Sequence, residues 1–540
     1  MTILKFCKKY LLSHKWLLIS HIALTTLAAF AGIASPYITG RFIDSLIYGT
    51  GMEAIIRFCL IFGAINISSI IVNYVASQIY IRLHTSVVFA LNREVAEHVQ
   101  NLSISYISKQ DTAYLTQRVD NDSRELMVFC ISFLRDSIIN ILLLVVPLAI
   151  LASLNWIIGL ALLIFLMAYF ALYFVFRNPI YKVDFIYKEK HSAFFASLYE
   201  QFSLVKKIKL DSIQDLILGR LGKAFVEARD SAIKRQKWAY LFAGSDRIVL
   251  TVAQIALFVT GGIQIFYGNF TVGMFTMFFS YFNMILSSSR YFYNISATYQ
   301  KTLVAHTRIV QLLNEKQESR GNKVIDDIEK ISLHDVCFGY GVDNVIENLT
   351  AELSRGGIYG VVGQNGSGKS SIINLIMGMY IEEREGVIAY NDIDIRELDM
   401  VAARKSLMSF AEQEPGLISD TIRYNLTFGY DELDYDKFTR YSKILNMEEF
   451  FDVNTVDFML SEKNSNTSGG EKQKISILKV LYKDAPVMIF DEPTSALDLA
   501  STERLIDYLE QIKKDKIIII VTHDERIINK CTSLLRIDSK

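Results

Sequence analysis

The sequence predicts a multidomain chain: an all-α membrane domain of six transmembrane helices with long cytoplasmic extensions, then a soluble α/β domain of the phosphate-loop (P-loop) type. Three observations carry this. The first half holds four long stretches free of Asp, Glu, Lys and Arg, two of single and two of double length. The second half holds Tyr359–Ser371, YGVVGQNGSGKSS, which fits a glycine-rich phosphate loop. Downstream of it, Val487–Glu492, VMIFDE, reads as an apolar strand ending in two acids. Composition agrees. Of 540 residues 51% are hydrophobic, too long a chain for one domain and apolar enough to place part of it in lipid. A formal net charge of −1 gives no reason to expect nucleic acid as a partner. The five cysteines are scattered without a C-x-x-C pair, so they read as small apolar residues and not as a metal or disulfide framework.

The charge-free stretches run from Trp16 to Gly40, Phe58 to Ile81, Ser137 to Phe176 and Ile248 to Ser289. A hydrocarbon core of roughly 30 Å needs about 20 helical residues, so the first two hold one span each and the last two hold a pair. Turns are expected at Ser153–Asn155 and at Gly268–Asn269, which gives spans at about 16–40, 58–81, 137–153, 155–176, 248–267 and 270–289. The lysines before Trp16, Arg82, Arg93 and the Lys206–Lys207–Lys209 cluster flank one side, which the positive-inside rule makes cytoplasmic. Both termini then lie in the cytoplasm, and the lysine-bearing N-terminus reads as leading into a retained first span instead of a cleaved signal.

Between spans, Arg82–Asp136 and Arg177–Arg247 mix charged and apolar residues at helical spacing, as in Leu216, Leu218, Leu221 and Phe225. They read as membrane helices extended into the cytoplasm, each pair turning at its tip. The stretch Thr271–Tyr299 is rich in Met, Phe and Tyr and contains Ser287–Ser289. Such a face either lines a path for a bulky cargo or packs against other helices.

A polar segment around Gln311–Lys323 ends the membrane half, so the expected boundaries are 1–315 for the membrane domain, 316–330 for a linker and 331–540 for the α/β domain. Ile358–Val362, Val487–Phe490 and Ile517–Val521 are strand candidates, the last two apolar enough for a central parallel sheet. Gly363, Gly368, Lys369 and Ser370 occupy the fixed positions of the phosphate loop. Glycines let the loop's N–H groups turn inward, and a helix N-terminus after Gly368 adds partial positive charge. Lys369 suits the β- and γ-phosphates and Ser370 a magnesium ion; Asp491 suits the same ion and Glu492 the proton of an attacking water. Thr467–Glu471, TSGGE, opens a second helix and forms another anion-binding turn. Two phosphate-binding turns in one domain suggest a different nucleotide for each, and hence a dimer.

With these motifs in this order, the second half resembles the nucleotide-binding domain of an ATP-binding cassette (ABC) protein, and the whole chain resembles an ABC exporter-type half-transporter. The resemblance implies a P-loop NTPase domain of ABC type, with ATP and Mg2+ as ligands. It implies that Tyr340 stacks on adenine and that Gly363, Gln364, Asn365, Gly366, Ser367, Gly368, Lys369, Ser370 and Ser371 hold the phosphates. Gln413, Ser370 and Asp491 match the magnesium site, and Glu492, His523 and Gln413 match the catalytic set. Ser468, Gly469, Gly470 and Glu471 match the signature turn that meets the ATP of the opposite subunit; Asp498 matches the loop at that interface. Ala113–Arg118 with Asn121–Asp122, and Leu204–Leu210, resemble the two segments that couple membrane helices to nucleotide domains. The signature reads TSGGE in place of the usual LSGGQ, Glu462–Asn464 read EKN in place of ERG, and little chain follows His523.

The resemblance implies ATP-driven export of a peptide or hydrophobic compound by alternating access, with two ATP molecules clamped in a dimer. A second copy of the chain is the favoured partner because Glu492 and His523 are both present, with a related half-transporter as the alternative. An importer on the same fold, a lipid flippase or an ATP-gated channel-type protein are the other readings. The expected location is the bacterial plasma membrane.

Overall fold

The computed structural model describes residues 2–49, 51–110, 115–116, 118–154, 156–341, 343–364, 366–448, 456–460, 469–495 and 497–537. Two compact units divide the chain: Met1–Ala96 with Thr116–Leu313, and Glu97–Leu115 with Asn314–Lys540.

The first unit is helical. It contains α1 (Thr2–Ser13), α2 (Lys15–Ile47) and most of α3 (Met52–Gln100), whose tip enters the second unit, where α4 (Ile104–Ile107) follows. A five-residue π turn at Arg118–Asp122 leads into α5 (Ser123–Leu154). Next come α6 (Trp156–Ser203), the short α7 (Val205–Asp211), α8 (Gln214–Phe266) and α9 (Val272–Leu313). Among the described residues four segments are long and apolar enough to cross a membrane: Lys15–Ile47, Ile55–Gln100, Arg118–Leu154 and Gln214–Phe266. Helices α6 and α9, with 48 and 42 residues, have the length as well. Large apolar side chains such as Leu60, Ile67 and Ile70 stay on the outside, as a lipid-facing surface requires.

Side-chain contacts explain how the long helices stand. On α1, Ile3, Cys7, Tyr10 and Leu11 form one buried stripe, and both Lys9 Nζ and Tyr10 Oη donate to the Glu94 carboxylate of α3, at 2.6 and 2.9 Å. Helices α6 and α8 pack through Phe176–Phe242 and Phe194–Phe225, and their polar edges pair Lys190 with Glu227 and Arg235 with Asp184. The reversal at Gly268 uses a left-handed backbone, φ +76°, which glycine adopts without strain. The Met- and aromatic-rich face of α9 divides its work. Phe278, Tyr281 and Phe282 are buried, and Tyr281 Oη donates to the Ile33 carbonyl at 2.9 Å, whereas Ser280, Met284 and Ser287 face a groove.

Near the end of α2 and the start of α9 the two helices touch backbone to backbone. A Cβ on Gly40 would sit 2.6 Å from the Gly273 carbonyl oxygen, and one on Gly273 closer still to that of Gly40. Asp44 joins the same contact: its carboxylate accepts from Thr271 Oγ1 at 2.7 Å and from the Gly273 N–H at 2.8 Å, capping α9. Gly273→Ala therefore forces two backbones apart. It should destabilise the membrane unit by about 1–3 kcal/mol, read as a lower melting temperature of the detergent-purified chain. An unchanged melting temperature would mean that the contact is not tight.

The second unit begins with a piece of the first half. Leu102 pairs with Gln317, the Glu318 N–H donates to the Asn101 carbonyl at 2.7 Å, and Ile104 packs on the unit's apolar core. The part seated there is thus Leu102–Ile107. Of the expected coupling stretch, residues 113, 114 and 117 lie outside the described residues, and Arg118–Asp122 form the π turn.

The rest is α/β. An antiparallel sheet contains β1 (Lys330–Phe338), β2 (Ile346–Ser354), β4 (Arg384–Tyr390) and β5 (Ile393–Asp394), in the order β2-β1-β4-β5. A parallel sheet contains β3 (Gly357–Gly363), β6 (Met408–Ala411), β7 (Val487–Asp491), β8 (Ile517–Val521) and β9 (Ser533–Ile537), in the order β6-β7-β8-β3-β9. The helices are α10 (Lys369–Ile376), α11 (Met400–Ser406), α12 (Ile422–Thr427), α13 (Tyr435–Ile444), α14 (Gly469–Lys483), α15 (Leu499–Ile512) and α16 (Glu525–Ile528). All five residues of β7 and of β8 are buried, which their continuous apolar sequence demands.

Candidate nucleotide site

In an open parallel sheet, ligands gather beyond the carboxyl ends of the strands. Here the register decides which residues meet. Val361 of β3 and Asp491 of β7 both lie opposite Val521 of β8, so three strand ends finish in line. The phosphate loop follows the first end, Glu492 the second and His523 the third.

The loop from Gly363 to Gly368 joins β3 to α10. Gly366 and Gly368 take φ +82° and +101°, a region that side chains with a Cβ rarely adopt. A Cβ on Gly363 would meet the Ile537 carbonyl and Ser367 Oγ at 2.5 and 2.6 Å, so the bend is packed from within. Lys369, buried at the start of α10, donates through Nζ to the carbonyls of Gly363 and Gln364 at 2.8 and 3.0 Å. The ammonium is thereby held inside the curve of the loop. Among the described residues Ser367 Oγ is buried without a hydrogen-bond partner, a donor ready for an anion. Together with the N-terminus of α10 these groups fit a polyphosphate. Asn365 lies outside the described residues.

The strand ends supply the acids. Ser370 Oγ donates to Asp491 Oδ2 at 3.4 Å. Burial, and then the charge of Glu492, hold the Asp491 carboxyl above the ordinary carboxylate range, against the opposing pull of Ser370 and Lys369. Glu492 is fixed more tightly than its sequence suggests. Its backbone is left-handed, φ +47°, a costly state for a residue with a Cβ. Its N–H donates to the Val521 carbonyl and its carbonyl accepts from Gln473 Nε2, both at 2.9 Å. The carboxylate accepts from Gln413 Nε2 at 3.0 Å on one oxygen and lies 3.4 Å from His523 Nε2 on the other. Glu492 is therefore in contact with both of the other expected catalytic residues. Gln413 meets Glu492, and Ser370 meets Asp491.

Gln473 and Ser495 were not expected in the site. Gln473, buried in the first turns of α14, bonds Ser495 through both ends of its amide while holding the Glu492 carbonyl. In GGEKQK a buried glutamine looks like any exposed one, so the sequence carries no signal for it. Tyr340 shares a hydrogen bond with Ser371 Oγ at 2.9 Å, and its exposed ring stands edge-on to Tyr380. Gly469 and Gly470 open α14 with Glu471 in its first turn, while Ser468 lies outside the described residues. Asp498 caps α15: it accepts from the Ser501 N–H and hydroxyl at 2.8 and 2.9 Å, and these bonds hold its carboxyl below the usual range.

Two family models match the chain: "ABC transporter transmembrane region" over residues 18–289 and "ABC transporter" over residues 346–495. The chain belongs to the ABC transporter family. An ATP-dependent lipid A-core flippase of Desulfotalea psychrophila is 25% identical over 524 residues, covering 94% of this chain and 89% of the relative. The flippase of the same name from Vibrio parahaemolyticus is 26% identical, covering 84% of this chain and 79% of its own. A bacterial Atm1-family ABC exporter solved with ATP bound superposes with a TM-score of 0.81 at 19% identity, over 97% of this chain and 93% of that one. As an ABC transporter of exporter type, the chain is a multi-pass membrane protein that binds and hydrolyses ATP to drive transport.

Proposed function

We propose that two copies of this chain form an exporter in which each ATP is held by the phosphate loop of one copy and the signature turn of the other. What carries the proposal is the Glu492 carboxylate, held between Gln413 and His523 beside the Ser370–Asp491 pair at the mouth of the loop. In this reading Glu492 accepts a proton from water as the water oxygen bonds to the γ-phosphorus and the bond to the ADP oxygen breaks. His523 and Gln413 hold the carboxylate in place, and Gln473 holds the backbone beneath it. Tyr340 supports adenine. Lys369, Ser367, Ser371 and the loop N–H groups of Gly363–Gly368 hold the phosphates. Magnesium, held by Ser370 and Asp491 with Gln413 nearby, offsets phosphate charge when bound. Ser468, Gly469, Gly470 and Glu471 form the turn offered to the partner's ATP, with Asp498 beside that interface.

ATP drives the cycle because it binds the clamped pair better than the separated one, which shifts the population toward the clamped state. The domain boundaries near 315 and 331, cytoplasmic termini and a bacterial plasma membrane belong to the same reading. The cargo is a hydrophobic or amphipathic compound carried outward. The flippases among the relatives support a lipid-like one, and a Bacillus subtilis relative provisionally named for multidrug export supports outward movement of drug-like compounds.

Complementation tests the shared site. Lys369→Ala disables a phosphate loop and Ser468→Arg blocks a signature turn, so a dimer of either variant alone has no working site. A mixed dimer has both defects in one site and none in the other. Co-expressing the two inactive variants should restore up to about a quarter of wild-type turnover, because half of randomly formed pairs are mixed and each has one working site. Activity no higher than that of either variant alone would overturn the two-copy site.

A further inference from the structure

We propose that the groove between α2, α3, α5 and α9 binds an amphiphile whose single head carries both a cationic and an anionic group. This names the cargo class and rests on the transport reading above.

The groove lies wholly within the membrane unit and is open along one side, with about 750 Å³ of space, in the roughly 300–1,000 Å³ range of small-molecule sites. Its wall changes character along its length. Arg135 and Asp136 of α5 lie at one end, with Ser287 of α9. Beyond them the wall carries no charge: Ile139 and Leu143 of α5, Met284 of α9 and the small Ala28 and Gly32 of α2 alternate with the uncharged polar side chains of Thr25, Asn73, Ser280 and Asn283. From Arg135 to the end of α5 at Leu154 the helix rises ~29 Å, close to the roughly 30 Å of a hydrocarbon core. The two charges therefore stand at one membrane face, on the side from which the helix extensions emerge, and the uncharged wall runs inward from them. Charge is thus confined to one end of the groove, as it is in an amphiphile with its head at the interface.

The charges themselves select the head. Arg135 Nε donates to Asp136 Oδ1 at 2.6 Å, and about a quarter to a third of each side chain remains exposed toward the groove. The guanidinium also lies 6.0 Å from the Tyr80 ring centroid, which steadies its position. An uncharged guest leaves this internal pair as it was. A purely anionic guest bonded to Arg135 shares the guanidinium with Asp136 and lies beside a like charge, and a purely cationic guest on Asp136 lies beside Arg135 in the same way. A head with both charges exchanges one internal pair for two external ones. Because Arg135 and Asp136 are neighbours, the two charges of the guest must lie within a few ångströms of each other. A phosphoethanolamine or aminoacyl head meets that condition. The two termini of an extended peptide do not.

The test uses the full-length chain in detergent without ATP and tail-labelled fluorescent lipids as probes. Phosphatidylethanolamine should bind at least about ten-fold more tightly than phosphatidylglycerol, a dialkyl trimethylammonium lipid or an apolar hexapeptide. Free phosphoethanolamine, the head without tails, should bind more weakly by a similar factor. Arg135→Gln and Asp136→Asn should each erase the preference. The swap of Arg135→Asp with Asp136→Arg should keep it, and melting temperatures show which variants fold. Equal affinity for all the lipids, preference for the anionic lipid, or a preference that survives both single variants would overturn the proposal. ATPase activity and transport measured in proteoliposomes separate the two readings. Cargo movement without a zwitterion preference removes only this inference, and zwitterion binding without ATP-driven movement removes only the transport reading.

Discussion

Glu492→Gln should leave ATP binding intact and lower steady-state hydrolysis by about 10²- to 10⁴-fold, the share that a positioned general base supplies. Glutamine keeps the shape of the side chain. Its amide oxygen can still accept from Gln413 Nε2, which lies 3.0 Å from the native carboxylate, and its backbone keeps the bonds to Val521 and Gln473. What it loses is the capacity to take a proton. None of the loop groups around Lys369 changes, so filter binding of labelled ATP should match wild type. With hydrolysis slowed, the ATP-bound dimer should accumulate and be seen by size-exclusion chromatography in detergent. Turnover near wild type would remove Glu492 from the role of base.

Asp491→Asn should separate stability from activity. Burial and the neighbouring Glu492 raise the native carboxyl pKa, so the fold prefers the protonated form. For a carboxyl raised in the folded state, stability falls as pH climbs from the unfolded-state value through the folded one, and the full penalty is present above it. Asparagine removes that penalty while its oxygen can still accept from Ser370. The nucleotide-free variant should therefore melt higher than wild type at neutral pH, and the difference should shrink as acid protonates the native carboxyl. Hydrolysis should move the other way, falling at least about ten-fold even in excess Mg2+, because a neutral amide is a poorer partner for a divalent cation. A variant that melts lower at neutral pH would show that the native charge is not a burden. One that hydrolyses normally would remove Asp491 from the metal site.

The α/β half of the fold was the more legible in sequence, for a physical reason. A phosphate loop needs glycine where φ is positive, and Gly366 and Gly368 are those positions; a central parallel strand must be apolar on both faces, and β7 and β8 are. Such local demands leave a mark in the letters. Long-range placement does not. Gln473 supports Glu492 only because α14 returns beside β7, and Leu102–Ile107 joins the second unit only because two distant segments pair. Arg135 and Asp136 escaped notice for a related reason. They precede Ser137, the start of a charge-free stretch, and so read as a flank, whereas the unbroken helix from Ser123 carries them into the wall of a groove.

The contact of Gly40 with Gly273 has a mechanical side. It pins α9 near its first residue, with the Asp44 cap across the same point, and leaves the remaining length of a 42-residue helix beyond it. At ~1.5 Å per residue that length is ~60 Å. A tilt of about 10° around the pin carries Leu313 through ~10 Å. Any rotation about this point would be smallest at the Gly40 contact and largest at Leu313, where the chain leaves for its ATP-binding half. A stiff rod pivoted at one end needs little work at the pivot to travel far at the other.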